Sequence, residues 1–184
     1  MARRSGCAIT CASGSNGEAA LSALLQGLPP IAAPGARVLI LGSMPGAASL
    51  AAGQYYAHPR NAFWRIMGAL VGAGPDKPYD ERVHTLAEKR IALWDVLRNC
   101  VRPGSLDSDI ADEVPNDFRA FFAGQPGIRR IGLNGGAAAK FFRKYAAHLA
   151  PSAAMIAQLP STSPAHAARS FEQKCVLWRD LLAL

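Results

Sequence analysis

Four short apolar runs, each followed directly by a polar or glycine-rich segment, set the strongest limit on how this chain folds. The runs are VLIL at 38–41, IALWDVL at 91–97, IRRIGL at 128–133 and AAMIAQL at 153–159. Short runs without regular alternation are typical of strands that are buried on both faces of a parallel sheet. Helical periodicity fills the gaps between them. The sequence therefore predicts an α/β fold, a three-layer α/β/α arrangement around a short, mainly parallel, four-stranded sheet.

The helix predictions rest on the spacing of apolar residues. In NAFWRIMGALVGA at 61–73, one stripe at helical intervals is formed by Phe63, Ile66, Met67 and Leu70. The same pattern predicts further helices at 79–89, 116–123, 135–149 and 170–183, and a short one at 21–28. Residues 1–35 are rich in Ala, Gly, Ser and Pro. We therefore expect them, above all 1–16, to form a disordered or weakly ordered extension of a single domain at 36–184.

Composition excludes several classes of protein. No apolar run reaches the roughly 18 residues that a membrane helix needs, and we expect no secretory signal. Four cysteines among 184 residues are too few for a disulfide framework, so we expect a cytoplasmic protein. The formal net charge of +7 fits either a nucleic-acid-binding protein or a basic surface without a role.

Polar, turn-forming segments follow all four predicted strands. They are GSMPG, DVLRNCVRPGS, NGG and PSTSPAH. Ligands of open α/β sheets bind beyond the carboxyl ends of the strands, so the functional site is expected there. GSMPGAAS is neither a P-loop nor a dinucleotide fingerprint, and Ser43 is not in a Gly-x-Ser-x-Gly elbow. The scattered histidines lack metal-ligand spacing, and we expect neither a metal nor an organic cofactor.

The segment QYYAHPRNAFWRIM at 54–67 has the highest density of functional side chains. Asn61 directly precedes a predicted helix. It could cap that helix, or it could face a ligand at the helix N-terminus. Tyr55 and Tyr56 could belong to the core, or could offer a stacking face to a nucleobase.

The strings GSMPG, QYYAHPRNAFW, DVLRNCVRPGS and LPSTSPAHA, in this order and spacing, resemble the uracil-DNA glycosylase superfamily over about residues 36–184. The His-Pro-x-Asn-x-Phe-Trp string is similar to that of the mismatch-specific branch. The Gly-Ser-Met-Pro-Gly string is similar to that of the hypoxanthine-DNA (deoxyinosine) glycosylase branch, the sixth family. The resemblance implies a monomeric, monofunctional glycosylase of base excision repair. It would flip a deaminated base, most of all hypoxanthine, out of double-stranded or alternatively single-stranded DNA. It would not associate with a membrane, and it would be found at the nucleoid when bound to DNA.

The resemblance also implies roles for individual residues. Met44 stands where most of the superfamily has Asp, Asn or Glu, so Asn61 is expected to position the attacking water. Tyr56 matches the residue on which the flipped base stacks. Asp95 stands where uracil-specific relatives read the base with Asn, and a carboxylate suits the ring N–H of hypoxanthine. Asn134 matches a functional Asn of the sixth family, with a cap for 135–149 as the alternative. The backbone expected to line the pocket is that of Gly42, Ser43, Met44, Pro45 and Gly46.

Residues 160–165 match the second motif of the superfamily, whose loop pushes into the duplex. Leu159 replaces the usual His, and the wedge position falls at about Ser163 with Pro164 next. Flipping would then exploit a base pair that is already weak, such as one with inosine. The residues expected to contact DNA are His58, Arg60, Arg98, Arg102, Pro160, Ser161, Thr162, Ser163, Pro164 and Arg169. Each arginine could instead be a surface residue without a role.

Three other functions stay open at this point. One is a uracil or mismatch-specific thymine/uracil glycosylase. The second is a non-catalytic protein that binds damaged DNA, which Met44 at the usual catalytic position suggests. The third is a small-molecule hydrolase that reuses the fold. No lysine lies in the motifs, so a lyase step through a Schiff base is not expected.

Overall fold

The structure, a computed structural model, describes residues 24–166 and 168–182. Its centre is a parallel sheet of four strands in the order β3-β2-β6-β7, and a second, antiparallel sheet has the order β1-β4-β5. The strands are β1 (Leu24–Gln26), β2 (Val38–Gly42), β3 (Ile91–Asp95), β4 (Leu97–Val101), β5 (Ala111–Pro115), β6 (Arg130–Asn134) and β7 (Met155–Leu159). The predicted parallel sheet is therefore confirmed.

Helices connect and cover the strands of the parallel sheet. They are α1 (Ala47–Ala52), α2 (Phe63–Val71), α3 (Tyr79–Glu88), α4 (Phe118–Gly124), α5 (Gly136–Tyr145) and α6 (Phe171–Leu182). Short 3-10 turns occupy Asp107–Asp109 and Ala147–Leu149. Helix α3 packs on β3, α5 on β2 and β6, and α6 on β6 and β7. The helices predicted at 61–73, 79–89, 116–123, 135–149 and 170–183 are present, whereas the short helix predicted at 21–28 is not.

Burial explains why the apolar runs became central strands. Every residue of β2 and of β3 is buried, as expected of strands covered on both faces. The parallel register pairs Gly42 with Asp95, Leu41 with Leu133 and Asn134 with Leu159. The carboxyl ends of these strands therefore meet at one edge of the sheet, and the loops that follow them are brought together there.

The sequence predicted a single strand at 91–97, but the structure divides this run between two strands. Strand β3 ends at Asp95, and the backbone amides of Val96 and Leu97 donate to the carbonyl oxygens of Gly42 and Ser43, at 2.9 and 3.0 Å. These two bonds turn the chain out of the parallel sheet, and β4 continues it in the antiparallel sheet. The connection from β4 to β5 then crosses the edge where the parallel strands end.

The N-terminal boundary at residue 36 and the helix at 21–28 are corrected by the structure. Leu24–Gln26 form β1, which pairs antiparallel with β4, so the chain there is a strand. Farther on, Ile31 exchanges two backbone hydrogen bonds with Leu93 of β3, at 2.9 and 2.8 Å. Residues 24–31 are therefore tied to both sheets by backbone hydrogen bonds rather than extending from the domain. The expected tail at 1–16 lies outside the described residues.

No helix in the described ranges is long and apolar enough to cross a membrane.

Candidate active site

A cavity of about 250 Å³ opens where the parallel strands end. Its walls come from the loop after β2, from the segment before α2, from the β4–β5 connection and from the loop after β7. Asp95 and Asn134, the last residues of β3 and β6, lie between these loops. A cavity of this size suits one small group rather than a long polymer.

Asp95 is the most unusual side chain in the cavity. It is only 3% exposed, and its Oδ2 atom is buried without a hydrogen-bond partner among the described residues. Burial and, to a smaller extent, the negative charge of Asp107 raise the pKa of the Asp95 carboxyl to about 7, although the Arg102 guanidinium acts in the opposite direction. The carboxyl is therefore held between its neutral and ionised forms near neutral pH. In the neutral form it offers one donor and one acceptor to a ligand.

Asp107 lies at the opening of the cavity, on the β4–β5 connection. Its Oδ1 atom accepts a hydrogen bond from Ser43 Oγ at 2.7 Å and lies 3.8 Å from Arg102 Nη1. Burial raises the pKa of the Asp107 carboxyl, while the bond from Ser43 and the charge of Arg102 lower it. These contacts fasten the β4–β5 connection to the loop after β2.

Arg102 is buried, and the expectation that it contacts a DNA phosphate is wrong. Its side chain is 1% exposed, and its Nη2 atom donates to the carbonyl oxygen of Pro45. Arg102 follows β4, and the turn out of the parallel sheet carries its guanidinium beneath the loop after β2. Arg102 thus supports the cavity from inside, where a polymer cannot reach it.

Tyr56 holds an uncommon backbone conformation beside the cavity, with φ at +53°. Its ring stacks on Phe63, with ring centroids 4.1 Å apart and planes 24° apart. The Tyr56 hydroxyl accepts a hydrogen bond from Asn134 Nδ2 at 3.0 Å. Burial raises its pKa, so the phenol stays neutral. One ring face is thus covered by Phe63, and the rest of the half-buried ring lines the cavity.

Asn134 joins two walls of the cavity. Its Nδ2 atom donates to the Tyr56 hydroxyl and, at 2.9 Å, to Thr162 Oγ1, while its Oδ1 atom accepts from the Thr162 backbone amide at 2.9 Å. The alternative role as a helix cap is wrong, because α5 begins at Gly136 and Gly135 is its cap. A glycine is required at 135, where φ is +99°.

Asn61 bonds to the start of α2 and also lines the cavity. Its Oδ1 atom accepts from the backbone amide of Phe63 at 3.0 Å, so it satisfies a free amide at the start of α2. It also lines the cavity, and its backbone amide donates to the His58 carbonyl oxygen at 2.8 Å. The next residue, Ala62, donates to the carbonyl oxygen of Thr162 at 2.9 Å. Asn61 is therefore held at a fixed position beside the loop after β7.

Comparison with known proteins agrees with this architecture. The family model described as the Uracil DNA glycosylase superfamily matches residues 29–182. The chain belongs to the uracil DNA glycosylase superfamily. It is 39% identical over 117 residues to a protein from Methanosarcina acetivorans named Hypoxanthine DNA glycosylase, a match over 63% of this chain and 74% of the relative. A protein of the same name from Methanosarcina barkeri is 38% identical over 111 residues, or 60% and 70% of the two chains.

A solved structure from the superfamily supports the fold as well. The solution NMR structure of a candidate uracil DNA glycosylase from Methanosarcina acetivorans matches with a TM-score of 0.72 at 33% identity. The match covers 86% of this chain and 99% of that one. The superfamily fold is therefore shared over nearly the whole of the described chain.

The glycosylase cavity brings together most of the residues that the sequence singled out. Those that line it are Gly42, Ser43, Met44, Pro45, Gly46, Tyr56, His58, Asn61, Asp95, Asn134, Ser161, Thr162, Ser163 and Pro164. Thr162 is 1% exposed, so it anchors the loop after β7 instead of facing outward. Met44 is buried and has no group that could hold a water.

Some predicted DNA-contact residues lie elsewhere. Arg60, Arg98 and Arg169 are exposed and do not line the cavity. Pro160 also lies outside it, and its carbonyl oxygen accepts from Trp178 Nε1 at 3.3 Å. These positions neither support nor exclude contact with a nucleic acid.

Sequence reasoning missed the β4–β5 connection as part of the site. Ser105, Leu106 and Asp107 all line the cavity. The available signal was the DVLRNCVRPGS segment, which ends at Ser105 and is followed directly by Leu106 and Asp107, but a turn alone explained it equally well. Within the described ranges, no cluster of three or more His, Cys, Asp or Glu side chains is suited to hold a metal.

Proposed function

We propose that this protein is a monofunctional DNA glycosylase that removes hypoxanthine from DNA. The observation that carries the proposal is the buried, unpartnered carboxyl of Asp95 in a small cavity beside the Tyr56 ring. Membership of the superfamily supports DNA as the substrate, and the names of the two Methanosarcina relatives favour hypoxanthine as the base.

Asp95 matches the edge of hypoxanthine chemically. This base presents a ring N–H beside a carbonyl oxygen. A neutral carboxyl accepts from the N–H with one oxygen and donates to the carbonyl with the other, whereas a carboxylate can only accept. Stacking on Tyr56 would hold the base in the plane that this pair of bonds requires. The hydrogen bonds to Asp95 and the stacking on Tyr56 together would favour a flipped base over water in the cavity.

Hydrolysis would proceed without a strong base. Asn61 can orient a water molecule but cannot deprotonate it, and Met44 contributes no polar group. The bond between the base and C1′ therefore breaks early, and its electron pair leaves with the base. The oriented water adds to the cationic sugar at C1′ and loses a proton to solvent. The rate then depends on positioning and on the electrostatics of the cavity.

The substrate is proposed to be double-stranded DNA from which the base is flipped, and the protein to act as a cytoplasmic monomer. The net charge of +7 favours association with a polyanion. The cavity is too small for a base pair, so a base can enter it only after it has left the stack. No lysine lines the cavity in the described residues, and the proposal includes no lyase step.

The decisive experiment is single-turnover base release from matched duplexes that carry one inosine, uracil or xanthine, followed by alkaline strand cleavage. We expect hypoxanthine to be released faster than uracil. Asn61→Ala should slow release by about 100-fold or more, because the water loses its orientation. Asn99→Ala is the matched control. The Asn99 side chain also bonds to backbone, at the Leu25 carbonyl oxygen, but lies outside the cavity.

Other results would point to different functions. Faster release of uracil would indicate a mismatch-type glycosylase. Tight, salt-sensitive binding without release of any base would indicate a non-catalytic damage-binding protein. Cleavage of free nucleosides without affinity for duplex DNA would indicate a small-molecule hydrolase.

A further inference from the structure

Leu106 lies at the mouth of the cavity with its side chain largely in solvent. The residue is 56% exposed and also lines the cavity. Six other large apolar residues are exposed in the described part of the chain, and none of them lines this cavity. Single exposed apolar residues are common on protein surfaces. Leu106 differs from these because it lies at the entrance through which a flipped base must pass, and this position suggests a function.

The backbone on both sides of Leu106 is anchored. The Ser105 Oγ atom accepts from the Ala47 backbone amide at 2.9 Å. The Asp107 carboxyl accepts from Ser43 Oγ at 2.7 Å. Leu106 therefore projects from a segment that is fastened on one side to the start of α1 and on the other to the loop after β2. A side chain that must push into a duplex needs such a support.

The loop after β7, which also reaches the mouth, presents no comparable side chain. The Ser163 hydroxyl accepts from the Ala165 backbone amide at 3.3 Å, and Pro164 and Ala165 are the exposed residues. This loop is held by Asn134, whereas the segment with Leu106 is held by the loop after β2. The two segments thus belong to different walls of the cavity, and the large apolar group is on the β4–β5 wall.

We propose that Leu106 is the wedge that enters the base stack and fills the space left by the flipped nucleotide, a role that rests on the function proposed above. Apolar side chains inserted between base steps unstack them and are tolerated there because they replace apolar base surface. Filling the gap hinders return of the base and so favours the extruded state. Leu106 supplies the apolar group that Ser163 lacks.

The test follows flipping and chemistry separately. A duplex with 2-aminopurine beside inosine reports unstacking by stopped-flow fluorescence, and single-turnover assays report hypoxanthine release. Leu106→Ala should slow both in the duplex by about tenfold or more, since extruding a paired base costs a few kcal/mol. On a single-stranded inosine oligonucleotide its release rate should stay within about twofold of the wild type, because no partner strand has to be opened.

Two further variants separate a wedge from a general defect. Leu106→Met keeps an apolar side chain that can insert and should restore both signals. Leu24→Ala removes the same side chain from a position that is 64% exposed on β1 and outside the cavity, and should leave both signals unchanged.

Several outcomes would overturn the wedge. One is an unchanged fluorescence signal and release rate for Leu106→Ala on the duplex. Another is an equal loss on single-stranded DNA. A defect in Pro164→Ala with none in Leu106→Ala would move the wedge to the loop after β7. If the wild type releases no hypoxanthine, the proposed chemistry fails, but loss of the unstacking signal in Leu106→Ala would still support the wedge.

Discussion

The Asp95 carboxyl occupies the space that a side chain on residue 42 would need. Gly42 and Asp95 are paired in register at the carboxyl ends of β2 and β3. A Cβ atom built on Gly42 would overlap Asp95 Oδ1 and lie 3.2 Å from the Tyr56 hydroxyl. The glycine therefore allows the carboxyl and the aromatic residue to meet at the bottom of the cavity. This contact explains the first glycine of GSMPG as a requirement of the site and not only of the turn.

Gly42→Ala should inactivate the cavity while the protein stays folded. The added methyl group displaces the Asp95 carboxyl, so release of hypoxanthine should fall by at least about tenfold. Gly124→Ala is the matched control, because Gly124 lies outside the cavity and a Cβ there would meet nothing within 4 Å. Single-turnover assays and circular dichroism on both variants check this. Equal activity in the two variants would contradict the role of Gly42.

The release rate should fall as pH rises through about 7, the pKa to which burial and the charge of Asp107 raise the Asp95 carboxyl. Below that pH the neutral carboxyl donates to the base carbonyl and stabilises charge on the departing base. Above it, the donor is lost. Asp95→Asn keeps a donor and an acceptor at every pH, so its profile should be flat between about pH 5.5 and 8. A rate that rises through this range in the wild type would show that the carboxylate is the active form.

Asp95→Asn should also stabilise the protein more at high pH than at low pH. The folded-state pKa of about 7 lies above the ordinary value of 3.8. Above about pH 4 the Asp95 carboxyl is ionised in the unfolded state but still neutral in the folded state. The free energy of unfolding of the wild type therefore falls as pH rises, and it stops falling once pH has passed the folded-state pKa. Between about pH 5 and 8 the difference in free energy of unfolding should grow by about 2–3 kcal/mol in favour of the variant. Urea unfolding at the two pH values measures it, and a constant difference would contradict the buried ionisation. Asp180→Asn, at an exposed position of α6, controls for the loss of one carboxyl.

The parallel sheet was predictable because β2 and β3 are buried throughout and β6 is buried at its centre, and such strands leave a clear apolar signal. Strand β7 is mostly exposed, yet its sequence is still an apolar run. The antiparallel sheet was not predictable. Strand β5 has mostly exposed or half-buried residues, and β1 has only three residues. Neither shows a run that differs from a loop. The boundary after Asp95 was also hidden, because Val96 and Leu97 are as apolar as β3 but belong to a turn and to the other sheet.

The site was predictable where it follows parallel strands and was missed where it does not. Asp95 and Asn134 end strands that the apolar pattern located, whereas Tyr56 lies between α1 and α2 and was singled out through the family resemblance. Ser105, Leu106 and Asp107 reach the cavity only because the β4–β5 connection crosses the sheet edge, and no local pattern reports that path. Arg102 shows the reverse error. An arginine next to a motif favoured DNA contact, yet the turn after β3 places it in the interior.

Arg60→Ala should weaken DNA binding, whereas Arg102→Ala should lower stability, because one guanidinium is exposed and the other is buried. Arg60 is exposed next to Asn61, so its loss should weaken duplex binding and reduce the salt slope of the logarithm of the binding constant by about 1. Arg102 loses its bond to Pro45 and its pairing with Asp107, so Arg102→Ala should lower the free energy of unfolding by about 2–4 kcal/mol. Its salt slope should equal that of the wild type, because a buried guanidinium releases no counterions from DNA. Fluorescence anisotropy over a salt series, at a temperature where both variants are folded, measures the slopes. If the slope fell as much in Arg102→Ala as in Arg60→Ala, the guanidinium of Arg102 would have to reach a phosphate, and the buried support beneath the loop after β2 would not describe the DNA-bound protein.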